Sequence, residues 1–401
     1  MTPPESPSRA LQGYRILELA QLIAGPLCGM YLADMGAEVI KVEPPGQGDA
    51  ARTVYQVTLG GEGVLYLTVN RNKRGITLDL SRLEGRQILY RLAERADVVI
   101  EGFRGGVAEK LEIDYSHLSR VNPRLIYCSL SAFGPGGPWR EKPGLDALVQ
   151  AMAGIMAVTG EPDGAPVLCG APVVDTMGAL LAAQGVLTAL IHRERTGEGQ
   201  RVDVSLLAGA LLAHTARLSV FHVTGQDLPR WGSAHPEVVP YQAFRARDGW
   251  IFVAVWTEKL WRPFCGAVGR PSLADDPRFA TRVNRLAHRK ELVAILEGVF
   301  ADKSVDEWMA ILEAADVLCS PVNSYSALVN HPQVQASRLI VEQEHPTAGR
   351  FKTLATPVEF SRAPGRIRTA APTLGQHTEE VLRELGCAEA EIQHLRAAQV
   401  I

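Results

Sequence analysis

Residues 14–43 read YRILELAQLIAGPLCGMYLADMGAEVIKVE, and this stretch decides the fold. Tyr14-Arg-Ile-Leu-Glu-Leu19 is a short β-type run. Pro26 suits the first turn of a helix, where its missing N–H would have no partner anyway. That helix is predicted to run to Met35, and Gly36 supplies its stop. Glu38-Val-Ile-Lys-Val-Glu43 follows as a second apolar strand, broken by Pro44-Pro45. Strand, helix and strand in so short a span form a β-α-β unit, whose strands must pair in parallel.

The alternation continues downstream. Glu84–Arg95 has apolar residues at Ile88, Leu89 and Leu92, which is helical spacing. Asp97-Val-Val-Ile100 and Leu125-Ile-Tyr-Cys-Ser-Leu130 read as buried strands, the latter ending before the breaker Gly134-Pro-Gly-Gly-Pro138. The fold class expected is α/β, with a doubly wound, Rossmann-like parallel sheet carrying helices on both faces. Asp175–Arg193 and Asp203–Val223 read as core-facing helices on either side of Thr196-Gly-Glu-Gly199. Composition then shifts, because 225–330 holds five of the six tryptophans: 231, 250, 256, 261 and 308. That segment contains the strand-like Trp250-Ile-Phe-Val-Ala-Val255 and amphipathic stretches at Arg289–Phe300 and Val305–Ala314. The expected layout is a large α/β domain over 1–224 and a smaller α+β domain over 225–330. A Pro-punctuated segment over 331–401 then returns to the large domain, with a helix near His377–Leu385.

Hydrophobic residues make up 46% of the chain and charged residues 21%, enough to bury a core and too apolar for disorder. Lys plus Arg total 41 against 44 Asp plus Glu, so no basic excess points to nucleic acid. The cysteines at 28, 128, 169, 265, 319 and 387 show no CxxC spacing and read as free thiols in a reducing cytoplasm. The N-terminal MTPPESPSRALQG has no apolar run of the secretory kind, and no clean run of membrane-spanning length is seen. A cytoplasmic protein without nucleic-acid or membrane partners is therefore expected.

The turn after the first strand, Ala20-Gln-Leu-Ile-Ala-Gly-Pro26, holds a single glycine. A dinucleotide fold needs a glycine-rich turn there, so Glu43 as a ribose ligand is weakly supported. Gly46 and Gly48 fall after the second strand, where that fingerprint has no use for them. GxxxxGK[ST], HExxH, paired CxxC and GxSxG are absent, which removes the P-loop, zinc-site and nucleophile-elbow readings; no metal is expected. Asn70-Arg-Asn-Lys-Arg74 reads as a solvated turn in preference to a phosphate clamp. Asp175, in Val173-Val-Asp-Thr-Met-Gly178, opens a helix. It reads either as an N-cap or as a carboxylate held ionised by the helix dipole and available as a nucleophile.

Taken together, several segments resemble the class III CoA-transferase family, which includes formyl-CoA transferase, carnitine CoA-transferase and an α-methylacyl-CoA racemase branch. They are LELAQLIAGPLCGMYLADMGAEVIKVEPPGQGD (17–49), NKRGITLDL (72–80), ADVVIEGFRGG (96–106), NPRLIYCSLSAFGPGGP (122–138), GLDALVQAMAGIMAVTG (144–160), VVDTMGALLAAQGVLTALIHRERTGEGQRVDVSL (173–206), HPEVVPYQAF (235–244) and LGQHTEEVLRELG (374–386). Their order and spacing across nearly the whole chain carry the resemblance.

The resemblance implies an acyl-CoA:carboxylate CoA-transferase working through covalent catalysis on Asp175. No cofactor is held permanently; acyl-CoA and a small carboxylic acid are the substrates. CoA contacts are implied at Ile23, Ala24, Leu78, Asp79, Ser81, Gly102, Phe103, Arg104, Lys110, Lys142 and Leu145. A mobile loop over the active site is implied at Gly232, Ser233 and His235, although this segment is poorer in glycine than the family's. Gly102 stands where the family commonly has Asn, and Ile23 where formyl-CoA transferase has Gln. An interlocked homodimer is also implied. Two alternatives remain: the racemase, and a CoA-binding subunit without catalysis. The racemase branch carries a His at the position of Leu145, and leucine cannot move a proton.

Overall fold

The computed structural model describes residues 9–401. Most of the N-terminal stretch read above as lacking a secretory signal lies outside them. Two compact units emerge, one comprising residues up to Ile155, Cys169–Thr224 and Gln333–Ile401, the other Met156–Leu168 and Gly225–Pro332. Residues 156–168, grouped by sequence with the large domain, cluster with the smaller unit.

In the larger unit, strands β1 (Arg15–Glu18), β2 (Glu38–Glu43), β3 (Lys73–Thr77), β4 (Val98–Glu101), β5 (Ile126–Ser131) and β6 (Gln200–Ser205) form one sheet. Helices α1 (Ala24–Asp34), α2 (Leu83–Ala93), α3 (Asp146–Met152), α4 (Val173–Thr196) and α5 (Leu206–Ala213) lie between or after them. The spatial order is β3-β2-β1-β4-β5-β6, and every neighbouring pair is parallel. This is the order of dinucleotide-binding folds, in which the chain reverses direction between β1 and β4.

Strand side chains alternate between two cores, as a pleat requires. Leu17, Val99 and Tyr127 point to one, with Ile88 and Leu89 of α2 and the C-terminal Val381 and Ile392. Ile16, Val98, Ile126 and Cys128 point to the other, with α1 and α4. Both faces are thus covered, which is why the strands read as nearly continuous apolar runs. α4 is long and apolar enough in composition to cross a membrane, but its Val174, Ala179, Ala182, Val186 and Leu190 are buried in the second core.

One element departs from the expectation. Asp203 does not begin a helix; it lies in β6, which pairs with β5 from Ile126↔Gln200 to Ser131↔Ser205. Gln200-Arg-Val-Asp-Val-Ser alternates with period two, and this edge strand wins over the apolar run behind it. Ser205 then accepts the N–H of Ala208 and caps α5.

The smaller unit holds an antiparallel sheet of Leu318–Pro321, Trp250–Ala254 and Tyr241–Arg245, in that order. Helices Glu258–Ala267, Arg289–Phe300 and Val305–Ala314 pack Trp261, Leu296, Phe300 and Trp308 into its core.

Candidate active site

Open α/β sheets bind ligands beyond the strand C-termini where the strand order reverses. A cleft of about 190 Å³ lies there. It is lined by Ala20–Gly25 after β1, Gly102–Gly105 after β4, Leu130–Ala132 at the end of β5, Arg140, Lys142–Leu145, Asp175 and Leu206.

The crest after β1 is shaped without a glycine-rich turn. Leu22 takes φ +67, a left-handed conformation that costs a bulky residue about 1–3 kcal/mol. Gly25 is needed for a different reason, because a Cβ there would fall 2.1 Å from the Cβ of Ala20. Only glycine lets α1 start so close to the strand. No side chain caps α1 at Ile23. Its first-turn amides at Ala24 and Gly25, Pro26 having none, therefore lie at a cleft wall, the arrangement that receives anionic groups. Across the cleft, a Cβ on Gly102 would come 3.2 Å from that of Ala20, so a larger residue would press on the crest.

Asp175 is not the N-cap. Pro172 occupies that position and Asp175 is the third residue of α4. The cap comes from another element: Asp146 Oδ2 accepts the N–H groups of Val174 at 2.8 Å and Asp175 at 3.0 Å. Asp146 is itself held, since its Oδ1 accepts from Gln150 Nε2, whose Oε1 accepts the N–H of Cys169. The amides expected to keep Asp175 ionised are thus occupied by a neighbouring acid. Burial, and secondarily the charge of Asp146, push the Asp175 carboxyl up to about 7. The dipole expectation is corrected accordingly. Near neutral pH both forms of Asp175 are populated, and the ionised one is a poorly solvated carboxylate, the kind of group that can act as a nucleophile.

Of the residues expected to contact CoA, Ile23, Ala24, Gly102, Phe103, Arg104, Lys142 and Leu145 share this cleft with Asp175. Lys142 Nζ rests 3.6 Å above the Trp139 ring, which packs edge-on against Phe133. Four others stand outside the lining. Leu78 is a core residue at 1% exposure. Asp79 Oδ1 accepts the N–H and hydroxyl of Ser81 in a local turn. Lys110 is exposed at the end of the short helix Val107–Lys110. Gly232, Ser233 and His235 belong to the smaller unit. There Ser233 Oγ accepts the N–H of Ala243, and the His235 ring stacks on Tyr241 at 5.0 Å and meets Trp256 edge-on.

Sequence reasoning missed Gln21 and Arg140 in the lining, and it missed the capping role of Asp146. No local signal announces a cap that arrives from another helix. Two other expectations are revised. Glu43 is no ribose ligand: Arg52, Tyr66 and the N–H of Asp49 all donate to its carboxylate. Asn70–Lys73 is no solvated turn either, because all four residues are buried. Arg71 pairs with Asp34 at 2.7 Å and Lys73 with Glu18 at 2.7 Å. Among the described residues, no cluster of His, Cys, Asp or Glu is grouped to hold a metal ion.

Similarity to known proteins makes this chain a CoA-transferase. The model of CoA-transferase family III matches residues 11–378, and the chain belongs to that family. An acyl-CoA transferase of Fusarium pseudograminearum is 39% identical over 94% of this chain and 85% of its own length. The succinate–glutarate CoA-transferase of Agrobacterium fabrum is 38% identical over 94% of this chain and 96% of its own. The crystal structure of a CAIB/BAIF family protein from Brucella suis superposes with a TM-score of 0.86 at 35% identity, over 95% of this chain and 100% of that one. The protein is an enzyme that transfers CoA between an acyl-CoA and a carboxylic acid. The named relatives are CoA-transferases, which favours that reading over the racemase and the non-catalytic subunit.

Proposed function

We propose that Asp175 is the nucleophile of this transfer and that CoA lies along the cleft between the crest at Ala20–Ile23 and the Gly102–Arg104 turn. The observation that carries the reading is the shared cleft, with the Asp175 carboxyl and the uncapped start of α1 on its walls. The Asp175 carboxylate attacks the thioester carbonyl, CoA leaves as thiolate, and an acyl-aspartyl anhydride forms. The thiolate attacks the Asp175 carbonyl, which releases the first acid as its carboxylate and leaves an aspartyl-CoA thioester. The acceptor carboxylate repeats the steps in reverse and restores Asp175. Each bond formed replaces one broken, and the exchange needs neither ATP nor a net proton.

The donor we propose is succinyl-CoA and the acceptor a short dicarboxylic acid. The named substrates of the Agrobacterium relative support this. We propose for Gly232, Ser233 and His235 the mobile-loop role that the resemblance implies. The enzyme is proposed to be a cytoplasmic homodimer, interlocked as in the family. Apolar side chains exposed at Leu211, Leu212, Phe221 and Val223 support a second copy of the chain as partner.

The test is chemical trapping. Incubation with succinyl-CoA and hydroxylamine converts an aspartyl thioester to a hydroxamate, read as a mass shift on the peptide holding Asp175. A shift on the peptide holding Asp146 and none on Asp175 would reassign the nucleophile.

A further inference from the structure

Beneath the crest lies a buried ion pair that the transfer steps do not use. Lys41 and Asp49 are both at 0% exposure, and neither lines the cleft. Lys41 Nζ sits 2.7 Å from Asp49 Oδ2. The same Nζ donates to the carbonyl of Ala20 at 2.9 Å and to Glu18 Oε1 at 3.1 Å. Asp49 Oδ1 accepts the N–H of Leu22 at 2.9 Å. Asp49 is anchored in turn, since its own N–H donates to Glu43 Oε2 at 2.8 Å and Ala51 donates to Oδ1 at 2.8 Å. The pair therefore grips the crest at two backbone groups, the carbonyl of Ala20 and the amide of Leu22. Between them lies the segment that enters the left-handed region at Leu22.

We propose that the Lys41–Asp49 pair is a positioning device for CoA binding: it holds Leu22 in its strained conformation and so keeps the start of α1 aimed into the cleft. A leucine leaves the left-handed region unless its surroundings over-determine it. Two buried charges are a poor source of net stability, because desolvation cancels most of their attraction. What they provide is directed hydrogen bonding in a dry setting, and here that bonding converges on the crest. Release of either contact lets Leu22 relax, and the first-turn amides of α1 turn from the ligand. Affinity then falls while the Asp175 carboxyl, on another helix, is untouched.

The inference rests on the reading of the cleft as the CoA site, and the experiment separates the two. CoA affinity is measured by calorimetry, with KM and kcat, on Lys41→Met, Asp49→Ala and Asp34→Ala. Asp34→Ala breaks the buried pair with Arg71 at the opposite end of α1 from the crest, and controls for lost stability. Lys41→Met and Asp49→Ala are expected to raise Kd and the acyl-CoA KM about tenfold with kcat within about threefold, whereas Asp34→Ala leaves Kd within about twofold. In a Leu22→Gly background, where glycine takes the positive φ unaided, the added cost of Asp49→Ala should shrink to about twofold. Should the larger changes not fold, Asp49→Asn, which keeps an oxygen for the Leu22 N–H and removes only the charge facing Lys41, should raise Kd about threefold. Folded clamp variants with wild-type Kd, an equal loss in Asp34→Ala, or an undiminished cost in the glycine background each overturn the device. Lys142→Ala is run beside them. Weakened CoA binding there, with none in the clamp variants, overturns the clamp alone; no weakening in any variant overturns the CoA reading as well.

Discussion

Asp146 accepts the backbone N–H of Asp175 at 3.0 Å, so two carboxyl groups from different helices meet at the start of α4. One is spent on the helix terminus and the other faces the cleft. Burial disfavours the charge of Asp175, and the neighbouring acid adds to that. The arrangement lowers the ionised population of Asp175 near neutral pH.

Activity should follow the ionisation of Asp175. With its carboxyl at about 7, kcat/KM is expected to fall about tenfold per pH unit on the acid side of neutrality. Asp146→Asn keeps an oxygen to cap α4 and removes the charge. The acid limb of its profile should move down by up to about one unit. Initial rates between about pH 5 and pH 9 check this; an unmoved limb in Asp146→Asn would mean that the second acid has no electrostatic role.

The same shift carries a stability signature. The Asp175 carboxyl is raised from an ordinary 3.8 to about 7, so between those values the folded chain holds a proton that the unfolded chain has released. Its contribution is neutral below the lower value, grows destabilising as pH rises across the interval and is constant above the upper value. Asp175→Asn cannot ionise. Its Tm should exceed that of the wild type by a few degrees at about pH 8 and match it near about pH 4, as read by scanning calorimetry. An equal offset at both pH values would refute the assignment.

Removal of the Asp146 oxygens exposes a different cost. Asp146→Ala leaves the amides of Val174 and Asp175 without their acceptor and should destabilise the fold by about 1–2 kcal/mol in urea unfolding. Asp146→Asn should lose less than half of that. Equal losses in the two would show that the charge, not the cap, is what the helix requires.

The two lysines named from the resemblance should separate. Lys142 lines the cleft above Trp139, and Lys142→Ala should weaken CoA about five- to tenfold at low salt and less at high salt. Lys110 lies outside the lining, and Lys110→Ala should leave affinity within about twofold. The reverse ranking would place the phosphates along the Val107–Lys110 helix.

Leu145 is 57% exposed on the cleft wall, where a racemase needs a proton carrier. With a 2-methylacyl-CoA in deuterated water and no acceptor, mass spectrometry should find no α-deuterium above the uncatalysed background. Rapid exchange would reveal proton transfer at the α-carbon.

Much of the fold was legible because its signals are local. Residues 14–43 carry β1, α1 and β2 in their own periodicity and punctuation, and the strands at 98–101 and 126–131 are apolar because both faces of the sheet are covered. Asp175 was legible through the motif around it. The strand order was not, since hydrogen bonding between β1 and β4 joins residues far apart in the chain. Position in that order decided the roles of the candidates. It carried Ile23, Gly102 and Lys142 to one cleft, set Leu78 in the core, and left Lys110 at the surface. It also turned charges that look solvated in sequence, at 70–73, into buried partners of Asp34 and Glu18. Composition and period report how a segment meets its nearest neighbours along the chain. Desolvation, capping from another helix and the pKa of a buried acid depend on what packs against it in space. For that reason Asp175 could be singled out from the sequence, whereas its raised proton affinity and the buried Lys41–Asp49 pair beneath the crest were decided by the tertiary structure.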